Sequence, residues 1–328
     1  ESSGAVSLVV IDEGFAAPAS GAATLRVADY ALQAGKLDVY VSSGALADVT
    51  ALASLSAAGT LTPTSTGAAI SLTYSPGNYF IVVTGAGNAS DVRLWNMPVT
   101  LGNQQVGTVI LTPAAGGLLL DGGFLVQQGS YTAFRNDSVR VRLATAVTNN
   151  ATVAATATSG ASTVVIDAGS VAPQFGAYVL VPAASALAIT VNGTSVAAPA
   201  GTMTAGTDYT VLVSGDPGAA SATLIADDNR ASSDTTAAKL RLINGISGNA
   251  SNLLTLTANS LTIGAQIAPD TASGYTSIPG SPNLASLVLY SNQRPGVYYS
   301  NSSFVFTADG VFTVFAAGDF SAPFLLVR

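Results

Sequence analysis

Cysteine and histidine are both absent from this chain. Their absence removes a Ser-His-Asp triad, a Cys-His pair and any thiolate or imidazole zinc site. It also leaves each domain to be held by core packing without disulfides. Charge is scarce as well. Lys36 and Lys239 are the only lysines, Glu1 and Glu13 the only glutamates, and charged residues make up 9% of the chain, against roughly 25% in ordinary soluble domains. The surface therefore falls to Ser, Thr, Ala, Gly and Asn. With so few Glu, Lys, Gln and Arg to clothe exposed helices, the composition favours strands. A net charge of −7 without a basic cluster argues against nucleic acid and against attraction to anionic lipid. No apolar run approaches the roughly 18 residues of a membrane span. The chain opens on Glu1 rather than Met, as expected of a processed or trimmed product.

What is present is a plan used three times. Residues 222–245 (ATLIADDNRASSDTTAAKLRLING) read as an apolar strand, an acidic turn, a small-residue linker and a second strand ending in Asn-Gly. The same order appears at residues 7–29 and 123–145. Three landmarks recur: tyrosines Tyr79, Tyr178 and Tyr275; threonines Thr108, Thr210 and Thr313; and first-strand arginines Arg26, Arg142 and Arg241. Their steps are near 100 residues, well beyond the solenoid periods of about 20–50. Short alternating runs separated by Gly, Pro, Asn and Asp predict about seven strands per module, which is a β-sandwich pattern. The expected fold is all-β: three tandem immunoglobulin-like antiparallel sandwiches over residues 24–128, 138–229 and 238–328, preceded by an extra strand within residues 1–14. Residues 45–59, rich in Ala and Leu, suggest one short helix.

LRVADYALQAGKLDVYVSSG, YFIVVTGAGNASDVRL and QQVGTVILTP in the first module, with SVRVRLATA, DYTVLVSGD, LIADDNR, KLRLINGISG and GVFTVFAAGD further on, give the chain a resemblance to the bacterial domain-of-unknown-function 4397 family. The similarity spans nearly the whole chain. It implies a secreted or surface-attached protein of tandem immunoglobulin-like modules. Such proteins often look like lipoproteins tethered by an N-terminal cysteine, which this chain lacks. The resemblance carries no active-site residue with it.

No constellation of residues reads as catalytic, and the chain is expected not to be an enzyme. Asp227 and Asp228 are neighbours on a strand, so they point to opposite faces and do not make a carboxylate pair. Together with Asp234 and backbone carbonyls they are candidate oxygen ligands for calcium; otherwise no cofactor is expected. Gly-rich stretches at residues 85–87 and 215–218 read as hairpin turns rather than phosphate loops. Tyr298 and Tyr299, beside Pro295-Gly296, are a candidate exposed platform for a sugar or protein. Within residues 6–11, Val6, Leu8, Val9, Val10 and Ile11 form an unpaired apolar strand whose backbone groups need partners. Adding that strand to a neighbouring subunit would build a homopolymer. The sequence thus predicts an extracellular structural protein of a bacterial surface filament or layer. The alternative is an adhesin or carbohydrate- or protein-binding array.

Overall fold

The computed structural model describes residues 10–63 and 68–328. The chain is all-β, as its composition predicts. The first module contains β1 (Ala23–Asp29), β2 (Leu37–Ser42), β3 (Gly59–Leu61), β4 (Ala68–Tyr74), β5 (Gly77–Gly85), β6 (Asn88–Leu101), β7 (Val106–Pro113), β8 (Leu120–Val126) and β9 (Tyr131–Phe134). The second contains β10 (Ser138–Val147), β11 (Thr152–Ser159), β12 (Ser162–Val171), β13 (Gln174–Phe175), β14 (Val179–Pro182), β15 (Ala186–Val191), β16 (Thr194–Val196), β17 (Asp208–Gly215) and β18 (Ser221–Asp227). The third contains β19 (Ala237–Asn244), β20 (Leu254–Ala258), β21 (Leu261–Ile267), β22 (Thr271–Ala272), β23 (Thr276–Pro279), β24 (Leu284–Ser291), β25 (Tyr299–Val305), β26 (Val311–Asp319) and β27 (Ala322–Val327).

Each module is a two-sheet sandwich. In the first, a sheet ordered β4-β1-β7-β8-β9 faces a sheet ordered β3-β2-β5-β6. In the second, β13-β10-β17-β18, with β14 also on β10, faces β12-β11-β15-β16; in the third, β22-β19-β26-β27, with β23 on β19, faces β21-β20-β24-β25. The module therefore runs past residue 128 to include β9, whose pairing with β8 adds a fifth strand. Two compact units result: one holds β1–β9 and the other β10–β27.

Alternation decides what each sheet buries. In β1, Ala23, Leu25 and Val27 enter the first core; in β10, Val139, Val141 and Leu143 enter the second; in β19, Ala238, Leu240 and Leu242 enter the third. The intervening residues, among them Arg26, Arg142 and Arg241, must then occupy the outer face of the sheet.

The sheets are not wholly antiparallel. β1 pairs with β7, β10 with β17 and β19 with β26 in parallel. Parallel neighbours need a long crossover, and here the whole second sheet of the module supplies it. The helix expected over residues 45–59 is reduced to a 3₁₀ turn at Val49–Ser54, started by Asp48, whose side chain accepts from the Thr50 and Ala51 amides. The Ser and Thr that interrupt the stretch compete for backbone hydrogen bonds and keep it short. Among the described residues no helix is long and apolar enough to cross a membrane.

Candidate functional site

Parallel register sets Arg26 against Thr108, Arg142 against Thr210 and Arg241 against Thr313. The arginine and threonine landmarks of the repeat are thus one structural feature seen three times. In the second and third modules it forms the centre of a buried junction. Arg142 Nε donates to Thr210 Oγ1 at 2.8 Å, and Arg241 Nε to Thr313 Oγ1 at 3.1 Å. Both guanidinium groups then reach across. Arg142 Nη2 donates to Thr313 Oγ1 of the third module at 3.3 Å. Arg241 Nη1 donates to the Ala226 carbonyl at 3.2 Å, and its Nη2 to the Asp227 carboxylate of the second module.

Asp227 is the hub. Its side chain is fully buried and lies 3.7 Å from Arg142 Nη2. It accepts from Thr210 Oγ1 at 2.6 Å and from the Tyr178 hydroxyl at 2.5 Å. Asn229 extends the network, donating from Nδ2 to the Tyr178 oxygen at 2.7 Å and to Asp208 Oδ2 at 2.8 Å, and accepting from the Tyr275 hydroxyl at 3.3 Å. Asp208 itself holds Arg140 bidentately, Nε to Oδ1 at 2.8 Å and Nη2 to Oδ2 at 2.5 Å.

Three guanidinium groups face two carboxylates here, and aromatic faces take up the surplus positive charge. Arg142 lies 4.0 Å from the Phe175 centroid and 4.5 Å from that of Tyr178, while Arg241 lies 4.7 Å from that of Tyr275. Burial, then Asp227, pushes the Tyr178 hydroxyl well above its ordinary pKa, so it stays a donor. Burial opposes the charge on Arg241, but Asp227 more than restores it and holds the guanidinium pKa above its usual value.

An apolar seam lies beside this network. Ala144, Ala146, Phe175 and Leu212 of the second module pack with Ile243, Phe315 and Ala317 of the third, and Phe175 stacks on Phe315 with centroids 5.5 Å apart. The Asn-Gly that ends the repeat motif has a role here. A Cβ on Gly245 would stand 2.5 Å from the Phe315 ring and 2.9 Å from Ala146, so only glycine permits this approach. Two carboxylates and the aromatic faces together hold the three guanidinium groups in a buried interface, and the arrangement fixes the second and third sandwiches in one register.

The calcium candidates are separated by these contacts. Asp227 is enclosed by Arg241, Tyr178 and Thr210. Asp228 takes Arg230 Nε at 2.7 Å and Lys239 Nζ at 3.1 Å, and although burial works against its charge, these cations hold its pKa below the usual value. Asp234 caps the Thr236 amide and hydroxyl. Among the described residues no group of three acidic side chains could hold a metal ion; cations, hydroxyls and an amide of the protein already bond to these oxygens. Tyr298 and Tyr299 are half-buried against the third core rather than exposed. The Tyr298 hydroxyl donates to the Phe320 carbonyl at 2.6 Å, and burial pushes its pKa up to about 12.

Of the proposed linking strand, Val6, Leu8 and Val9 lie outside the described residues; Val10 and Ile11 belong to no strand, and Val10 is 87% exposed. The following residues are anchored. The Phe15 amide donates to Gln127 Oε1 at 3.2 Å, Gln127 Nε2 returns a bond to the Phe15 carbonyl at 2.8 Å, and the Gln128 amide donates to Glu13. The Phe15 ring covers Arg26 at 3.6 Å. Tyr79 is not the counterpart of Tyr178 and Tyr275: it sits in β5 of the other sheet, beside Tyr74, and the residue opposite Arg26 is Ser71. Spacing along the chain could not separate the two sheets of one module.

No family model matches the chain, and no curated protein matches it. Among solved structures, a candidate cell-adhesion protein of Bacteroides uniformis is similar at 13% identity and a TM-score of 0.23, covering 63% of this chain and 98% of its own. The fimbrial anchor protein Mfa2 of Porphyromonas gingivalis shares 10% identity at a TM-score of 0.25, with the same coverages. The TIE protein of Bacillus anthracis shares 11% identity at 0.18, covering 92% of this chain and 51% of its own.

Proposed function

We propose that the chain is a non-catalytic structural protein of the bacterial cell exterior, a subunit of a surface filament or layer to which residues 6–11 link a neighbouring subunit by strand addition. The observation that carries this reading is the junction between the second and third modules. Its buried Arg–Asp network and apolar seam serve alignment rather than exchange. Buried ion pairs add little net stability over packed apolar groups, and in this reading their role is to set the register of the two modules, which a building block requires. The absence of cysteine and histidine and the low charge of the surface agree with it, since contacts between subunits must be desolvated.

Negative-stain electron microscopy of the purified chain, beside a version lacking residues 1–14, tests the proposal. Ordered polymers from the full chain and none from the shortened one are expected. Monomers from both, with binding to a glycan array, would replace it with the binding-module alternative.

A further inference from the structure

The outer faces of the β10/β17 and β19/β26 sheets pack against one another, with Arg142 and Arg241 each reaching the opposite module. The first module has the same strand plan, and its corresponding face carries Arg26 in register with Thr108. There the guanidinium is incomplete. Nε and Nη1 are buried and bond to nothing among the described residues, whereas the Nε atoms of Arg142 and Arg241 both donate to their threonines. Ser71, exposed, stands opposite Arg26 at the place where Tyr178 and Tyr275 fill the other two modules. Orphaned buried donors are costly; with Phe15 on its face, the guanidinium is open to a partner's carboxylate only at Nη2, its one nitrogen that is not buried, and a charge placed there offsets part of that cost.

We propose that this face of the first module is a self-association surface, docking on the same face of a second copy of the chain so that each Arg26 receives the Asp12 carboxylate of the other. Three observations select this occupant. Faces of this kind already meet like to like within the chain. The surface carries both signs, Arg26 together with Asp12 and Glu13 on the segment anchored beside it, so a two-fold contact closes with two equivalent pairs. Half-buried Ile110 and Leu125 lie on the same face as Thr108, in register across β7 and β8, and supply an apolar margin like the seam of the junction. The contact is independent of strand addition, since Asp12 and Arg26 both lie outside residues 6–11.

Sedimentation velocity of the full chain, across a concentration series at low salt, tests it. A dimer is expected, with Arg26→Asp or Asp12→Arg raising its dissociation constant by about tenfold or more and the double exchange Arg26→Asp with Asp12→Arg restoring it. Ser71→Arg, an exposed substitution that leaves the core untouched, is expected to block the dimer as well and serves if an Arg26 variant fails to fold. Removing residues 1–9 is expected to abolish polymers while leaving the dimer, which separates this contact from the strand-addition reading. A chain that stays monomeric at every concentration would overturn the proposal. So would a dimer indifferent to Arg26, Asp12 and Ser71, or singles that dissociate without rescue by the double exchange.

Discussion

Arg241 and Arg26 occupy the same position in the same strand plan, yet one is saturated and the other is not. Arg241 has a threonine, a carbonyl, a carboxylate and a tyrosine face; among the described residues Arg26 has one phenylalanine ring and two buried nitrogens without acceptors. Burial lowers the pKa of Arg26, with Tyr30 and Asp12 opposing only part of the shift. The difference shows that the strand pattern provides the arginine, while the neighbouring sheet face determines whether it becomes a lock. A second pair makes the same point. Asp29 and Asn244 both end a first strand and both accept a backbone amide two residues on, from Ala31 and Ile246. Asn244 also donates to the Asn252 and Ile267 carbonyls at 3.1 and 2.9 Å, whereas Asp29 Oδ2 has no partner among the described residues.

The largest effect is expected from breaking the saturated side. Asp227→Ala leaves Arg142 and Arg241 buried without their carboxylate and is expected to cost roughly 3–5 kcal/mol, read as a lower urea midpoint for the unit holding β10–β27. The next concerns Asp29. Burial raises its pKa to about 6, above the unfolded value, so its contribution is most favourable in acid and is lost as pH rises from about 4 to 6. Asp29→Asn, which copies Asn244, is therefore expected to stabilise the first module by roughly 2–3 kcal/mol at pH 7 and to bring little at pH 4; urea melts at the two pH values check it. The smallest effect is constructive. Ser71→Tyr installs the aromatic face that Arg142 and Arg241 possess, for an expected gain of about 0.5–1 kcal/mol in thermal denaturation.

Much of the fold was legible because alternation is a local property. VRVRL at residues 139–143 announces a strand with Val139, Val141 and Leu143 on one face and arginines on the other, and the structure places them so. The opposed side chains of Asp227 and Asp228 follow from the same rule. What escaped was non-local. Parallel pairing of β10 with β17 joins residues separated by a whole sheet, and nothing in either strand records it. The junction was hidden because Ala144, Ala146 and Ala317 look like filler and Gly245 like a turn. The one available signal was the spacing of Arg140 and Arg142: two charges on one face of a strand, in a chain with few to spare, call for a buried partner.

The parallel pairing also decides how the second module would respond to tension. Arg140 opposes Asp208, and Asp208 opposes Asp227, so the strand that enters the module and the strand that leaves it meet at one end of the sheet. A pull on those two points would peel β18 away one hydrogen bond at a time, the weakest way to load a sheet. The first residue to be lifted is Asp227, and Arg241 of the next module grips it. The neighbouring module thus acts as a clasp at the place where the zipper would otherwise begin to open.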